Sequence, residues 1–136
     1  MFSREDPNRH DKFANFVVGV NGGAVHQIGG WQRALDSASW SPDGQWILTD
    51  NGDGGLYVVH PDGTGRHQIP LALSSREFAF TPSWSTSGKK IIFGLFTASH
   101  QIGNEAIYTA NADGSDLQST GLQGDTPDWG PSPVTP

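Results

Sequence analysis

Two groups of side chains have the type and spacing to suggest chemistry. The first is the run Asp50-Asn51-Gly52-Asp53-Gly54-Gly55, whose clustered oxygens beside glycines suit a hard cation. Its carboxylates stand at the first and fourth places instead of alternate ones, and no helical pattern follows, so it reads as a hairpin turn. The second is the set of five histidines, whose imidazoles could hold a metal or move protons near neutral pH. His26, His60 and His67 sit beside short glycine turns, His100 sits in a longer connection, and His10 lies apart from all of them, so no shared site is expected. Gly130-Pro131-Ser132-Pro133-Val134 offers a Gly-x-Ser, but Val134 stands where a nucleophile elbow needs glycine. No catalytic residue, cofactor or metal site is expected.

Composition narrows the partners. Eight Lys and Arg against 14 Asp and Glu leave a net charge of −6, which argues against nucleic acid or an anionic membrane surface. The longest apolar run, Ile91–Phe96, is far short of the roughly 18 residues that span a bilayer, so membrane insertion is not expected. Residues 1–12 are polar and carry no signal-peptide core. With no cysteine, disulfides and thiol chemistry are excluded.

The elements that position these groups emerge when the chain is laid on itself. Ser39-Trp40-Ser41-Pro42-Asp43-Gly44 recurs as Ser83-Trp84-Ser85-Thr86-Ser87-Gly88 and again as Asp128-Trp129-Gly130-Pro131, with tryptophans 44 and 45 residues apart. In a second register, Tyr57-Val58-Val59-His60-Pro61-Asp62-Gly63 matches Tyr108-Thr109-Ala110-Asn111-Ala112-Asp113-Gly114 and the earlier Phe16-Val17-Val18-Gly19-Val20-Asn21-Gly22. His26-Gln27-Ile28 likewise matches His67-Gln68-Ile69. Short β-rich runs separated by glycine turns, four per repeat, predict an all-β fold of four-stranded antiparallel β-propeller blades, about 2.75 of them in an incomplete ring.

Residues 16–28 are read as half a blade, 36–69 and 80–120 as full blades, and 127–129 as a lone first strand. Residues 1–15 are read as a polar segment before the repeat, and 130–136 as a proline-rich tail. The repeated residues have structural duties. Trp40, Trp84 and Trp129 are expected as core wedges, and Tyr57 and Tyr108 as packing groups. Pro42, Asp43, Gly44 and Gly88 form one set of turns, and Asp62, Gly63, Asp113 and Gly114 the other.

The order Trp-Ser-Pro-Asp-Gly, aromatic strand, Asp-Gly turn resembles the repeat of the TolB-like β-propellers, a WD40-like family, over residues 16–131. The resemblance implies a propeller, commonly of six or seven blades, in periplasmic or secreted proteins, alone or fused to serine peptidases. It implies no catalytic residue. It also admits a metal-dependent enzyme similar to certain polysaccharide lyases, with His100 and Glu105 as the local start of a site, or a propeller detached from a peptidase.

Longer, dissimilar loops lie at one end of each blade, opposite the short turns. Function usually rides on such loops. Trp31, Arg33, Arg76, Glu77, His100, Gln101, Asn104 and Glu105 are therefore the binding-face candidates, for a protein, peptide or glycan. Eleven strand positions with the second strand missing at both ends predict a fragment of a larger propeller, one that neither two nor three copies would close. Self-association is expected through open blade faces around Trp40, Trp129 and the run Ile91–Phe96.

Overall fold

The computed structural model describes residues 1–32, 37–98 and 105–130. Glycine turns alternating with β-rich runs produce eleven strands among these residues, in three antiparallel meanders and without a helix. The first blade contains β1 (Phe2–Asp6), β2 (Arg9–Val17) and β3 (His26–Gln32). The second contains β4 (Ala38–Trp40), β5 (Ile47–Asp50), β6 (Leu56–Val59) and β7 (His67–Gln68). The third contains β8 (Glu77–Trp84), β9 (Lys90–Thr97), β10 (Ala106–Asn111) and β11 (Gln118–Gln123).

The middle strands show why the blades stack. Ile47 and Leu48 are adjacent in β5 and both fully buried, although neighbouring strand residues point to opposite faces. Ile47 and Val59 pack with Val17 and Ile28 of the first blade, whereas Leu48, Leu56, Val58 and Ile69 pack with Ile91, Phe93, Leu95 and Ala110 of the third. Both faces of the second blade are therefore covered by neighbours.

The turns use side-chain oxygens as the repeat predicts. Asp43 Oδ1 accepts from Ser41 Oγ (2.6 Å) and the Gln45 amide (3.0 Å), and Trp46 N–H donates to Ser41 Oγ (2.9 Å). In the third blade Ser87 takes the aspartate's place, with its Oγ 3.2 Å from Ser85 Oγ, and Lys90 N–H donates to Ser85 Oγ (3.0 Å). The turn survives the departure from Pro-Asp with a weaker acceptor. At Gly63 and Gly114 positive φ combines with close approach: a Cβ would stand 2.9 Å from Gln27 O and 2.8 Å from Pro70 O. Each turn thus nests against the outer-strand exit of the preceding blade.

Four expectations change. Residues 1–15 are not a segment before the repeat. Asp6-Pro7-Asn8-Arg9 forms a tight turn, Asp6 accepting from the Asn8 amide (2.9 Å) and from Arg9 Nε (3.0 Å), and it folds β1 onto β2. β1 occupies the second-strand position, so the first blade has three strands among the described residues instead of two. Residues 127–129 form no ladder, although Asp128 Oδ1 accepts from Ser83 Oγ (2.7 Å) beside β8. The run Ile91–Phe96 is mostly core, since Ile91, Phe93 and Leu95 are buried and Phe96 is 40% exposed. Finally, Trp40 is no core wedge. It is 40% exposed, whereas its counterpart Trp84 packs against the seam between the second and third blades.

Candidate functional site

The seam between the second and third blades ends in two clefts of different character. At the short-turn end lies a cleft of about 700 Å³ lined by Trp46, Trp84, Val58, Pro42 and Ala112, with His67, Asp43 and Asp113 at its rim. Trp46 is stacked on His60 (3.8 Å between ring centres) and meets His67 edge-on (5.5 Å). These two imidazoles are positioned by backbone carbonyls, His60 Nδ1 by Gln45 O and His67 Nδ1 by Gly65 O, each at 2.9 Å. The Trp84 indole N–H is buried and has no acceptor among the described residues. Bonds from the turn residues hold the Asp43 and Asp113 carboxyls below the usual aspartate range, so both are ionised at neutral pH: Ser41 Oγ leads for Asp43 and Ser115 Oγ for Asp113.

At the wide-loop end a more polar cleft of about 470 Å³ is lined by Asp53, Tyr57, Gln68, Ser74, Glu77 and Phe78. Its loops are fixed by their own side chains. Asp53 accepts from the Gly55 amide (2.9 Å), from Tyr57 Oη (2.7 Å) and from Asn51 Nδ2 (3.1 Å). Asn51 Oδ1 in turn accepts from Gln32 Nε2 of the first blade (2.9 Å). The Arg66 guanidinium lies 4.0 Å over the Tyr57 ring. Burial acts to raise the Asp53 pKa, but these hydrogen bonds and the Arg66 charge outweigh it and the net shift is downward. Glu77 Oε2 accepts from the Ser74 amide (2.7 Å), closing the turn that enters β8.

Asp50, at the end of β5 just before the loop that holds Asp53, faces the seam. It is buried, and Oδ2 accepts from the Thr81 amide (3.0 Å). Thr81 is a β-branched residue at φ 46° on the irregular stretch of β8, and its hydroxyl donates to Asp125 O. One bulge is thus tied to the blade before it and to the segment after it. Burial pushes the Asp50 carboxyl up, against the opposing pull of the Thr81, Ser37 and Gly52 amides.

Of the expected binding-face residues, Glu77 lines the wide-loop cleft, Arg76 is exposed beside it, and Glu105 is half-buried immediately before β10. Trp31 is elsewhere, half-buried with its ring edge against Phe16 (5.9 Å). Arg33, His100, Gln101 and Asn104 lie outside the described residues. The Asp53 network and the Trp46 cleft were not anticipated. The recurrence of His-Gln-Ile and the shared Ser-Trp-Ser turn were the available signals, since they place an imidazole and the first residues of the second strand at the same end. Among the described residues no group of three or more His, Asp or Glu side chains is placed to hold a metal ion. No described helix is long and apolar enough to cross a membrane.

No family model matches the chain, and no curated protein matches its sequence. Solved structures do. A TolB-like protein of Agrobacterium tumefaciens superposes with a TM-score of 0.63 at 17% identity, over 79% of this chain and 43% of its own. TolB of Acinetobacter baumannii superposes with a TM-score of 0.58 at 18% identity, over 80% of this chain and 26% of its own. The chain thus has the TolB-like propeller fold and spans less than half the length of either structure.

Proposed function

We propose that this chain is a non-catalytic binding or scaffolding module, part of a larger propeller, whose wide-loop end meets a protein, peptide or glycan. The observation that carries this reading is the engagement of the acidic groups there. Asp53 and Glu77 accept hydrogen bonds from loop amides and neutral side chains, an arrangement that makes a rigid, shaped, anionic surface. A catalytic pair would instead hold a nucleophile against a base. The resemblance to TolB-like propellers favours a periplasmic or secreted setting, which a signal sequence in the upstream reading frame would support.

Peptide and glycan arrays probed with the 136-residue chain, followed by hydrogen-exchange footprinting of any hit, test the proposal. The expected footprint covers residues 50–55 and 70–77, and Glu77→Arg weakens binding at least tenfold with unchanged melting. A footprint on the Asp62 and Asp113 turns would overturn the choice of surface, and turnover of a bound glycan or peptide would overturn the non-catalytic reading.

A further inference from the structure

The short-turn cleft on the seam between the second and third blades holds an aromatic set that the repeat does not require. Trp46, backed by His60, and His67 supply it from the second blade. The third blade carries Lys90, Asn111 and Gln118 at the same three places, in the same ladder register. There the contact is an ordinary surface ion pair, Lys90 Nζ donating to Asp116 Oδ2 at 3.2 Å. A blade of this sequence thus folds without the rings, and the second blade has them where they line a concave space of about 700 Å³.

The polar groups at the rim of this cleft are acceptors. Asp43 comes from the second blade and Asp113 from the third. In both, the bonds from the turn fall on Oδ1: the Ser41 hydroxyl and Gln45 amide on Asp43, the Ser115 amide (3.0 Å) and hydroxyl (2.6 Å) on Asp113. No other described residue donates to Oδ2 of either. These bonds favour the charged form, so both carboxylates are ionised at neutral pH. His67 donates from Nδ1 to Gly65 O, which leaves Nε2 of the neutral ring as an acceptor. No described Lys or Arg lines the cleft, and Lys89, next to Gly88 in the third-blade turn, is exposed. Between the acceptors the walls are carbon. The Trp84 N–H is sealed from solvent, so that side chain offers the cleft its ring.

We propose that this cleft binds a small organic cation, a guanidinium or amidinium group on a flat apolar body, with the body against Trp46 and Trp84 and the N–H groups at the carboxylates of Asp43 and Asp113. The volume lies within the roughly 300–1,000 Å³ of small-molecule sites. Tryptophan faces attract a cation through the ring quadrupole, and a planar fork of N–H donors matches carboxylate oxygens. A sugar fits less well: its hydroxyls both donate and accept, and the side chains at this rim would leave their acceptors unmatched, whereas a guanidinium has donors only. The net charge of −6 draws cations toward the surface. Because one carboxylate comes from each blade, the bound molecule also ties the seam together. The site is separate from the wide-loop surface and independent of the binding role proposed for it.

Phenylguanidinium is the probe and phenylurea its neutral isostere, each titrated into the full chain and followed by NMR. Phenylguanidinium should give saturable shifts at the Trp46 and Trp84 indole N–H groups and at the amides of residues 41–44 and 112–114, and phenylurea should bind about tenfold more weakly. Asp43→Asn and Asp113→Asn each keep an oxygen for the turn donors and remove the charge. Each should weaken phenylguanidinium about five- to tenfold with the β-sheet circular dichroism retained. Saturating phenylguanidinium should raise the melting temperature of the unmodified chain. Glu77→Arg, at the wide-loop end, should leave its affinity unchanged. Equal affinity for phenylurea, failure to saturate at millimolar concentration, shifts confined to residues outside the cleft, or undiminished affinity with both aspartates replaced would each overturn the proposal. An arginine-containing peptide that binds the same residues about tenfold more tightly than phenylguanidinium would also overturn it, since the occupant would then be a side chain of a partner.

Discussion

Trp84 and Trp40 occupy the same place in successive repeats, one residue before the same turn, and differ only in their neighbours. Trp84 sits on a seam closed by two blades, whereas Trp40 is 40% exposed where the described residues supply no adjoining first strand. The difference teaches that the unit of stability in this fold is the interface between blades. A four-stranded sheet made of these residues acquires a core only when its neighbour is present.

Breaking the closed seam should have the largest effect. Phe93→Ala removes a fully buried ring between the second and third blades and should cost about 3–5 kcal/mol, read from urea denaturation. Trp84→Ala should cost about 2–3 kcal/mol. Trp40→Ala should cost less than about 1 kcal/mol. Equal losses at the two tryptophans would contradict the comparison.

The repeat, the turns and the packing residues were legible in the sequence because they recur: the Trp spacing and the Asp-Gly turns need only one neighbouring copy to be recognised. β1 was not legible. Its residues are exposed apart from Asp6, so an unburied strand carries no alternation to read, and only the Asp6-Pro7-Asn8-Arg9 turn marked it. Nor could the sequence distinguish Trp40 from Trp84, since their surroundings come from other strands. The Asp50–Thr81 contact joins residues 31 apart that no local pattern links.

Two kinds of aspartate sharpen the contrast between seam and surface through pH. The folded pKa of the buried Asp50 is raised above its ordinary 3.8, so the folded state holds its proton more tightly and its contribution to stability declines as pH rises from 3.8 through the folded value. The turn aspartates Asp43, Asp62 and Asp113 are depressed by Ser and Thr hydroxyls, so their contribution is present above 3.8 and disappears as pH falls through their lower folded values. Urea midpoints against pH should therefore fall steeply on the acid side. Asp50→Asn should flatten the decline above pH 3.8 while leaving the acid limb in place. Loss of the acid limb with Asp50→Asn would reverse these assignments.

The smallest expected effect is a gain. Ser87→Asp restores the stronger acceptor found at Asp43 in the equivalent turn and should raise the melting temperature by about 2 °C. A drop of that size would mean that the two turns are not equivalent.

The central claim, that the closed interface between blades is what stabilises them, is tested most directly by hydrogen exchange of the native chain. Amides of β9 between Ile91 and Leu95, at the closed seam, should be strongly protected. Amides of β1, whose residues are exposed apart from Asp6, should exchange much faster. Equal protection of the two strands would contradict the account, because burial at the seam would then not be what holds the blades.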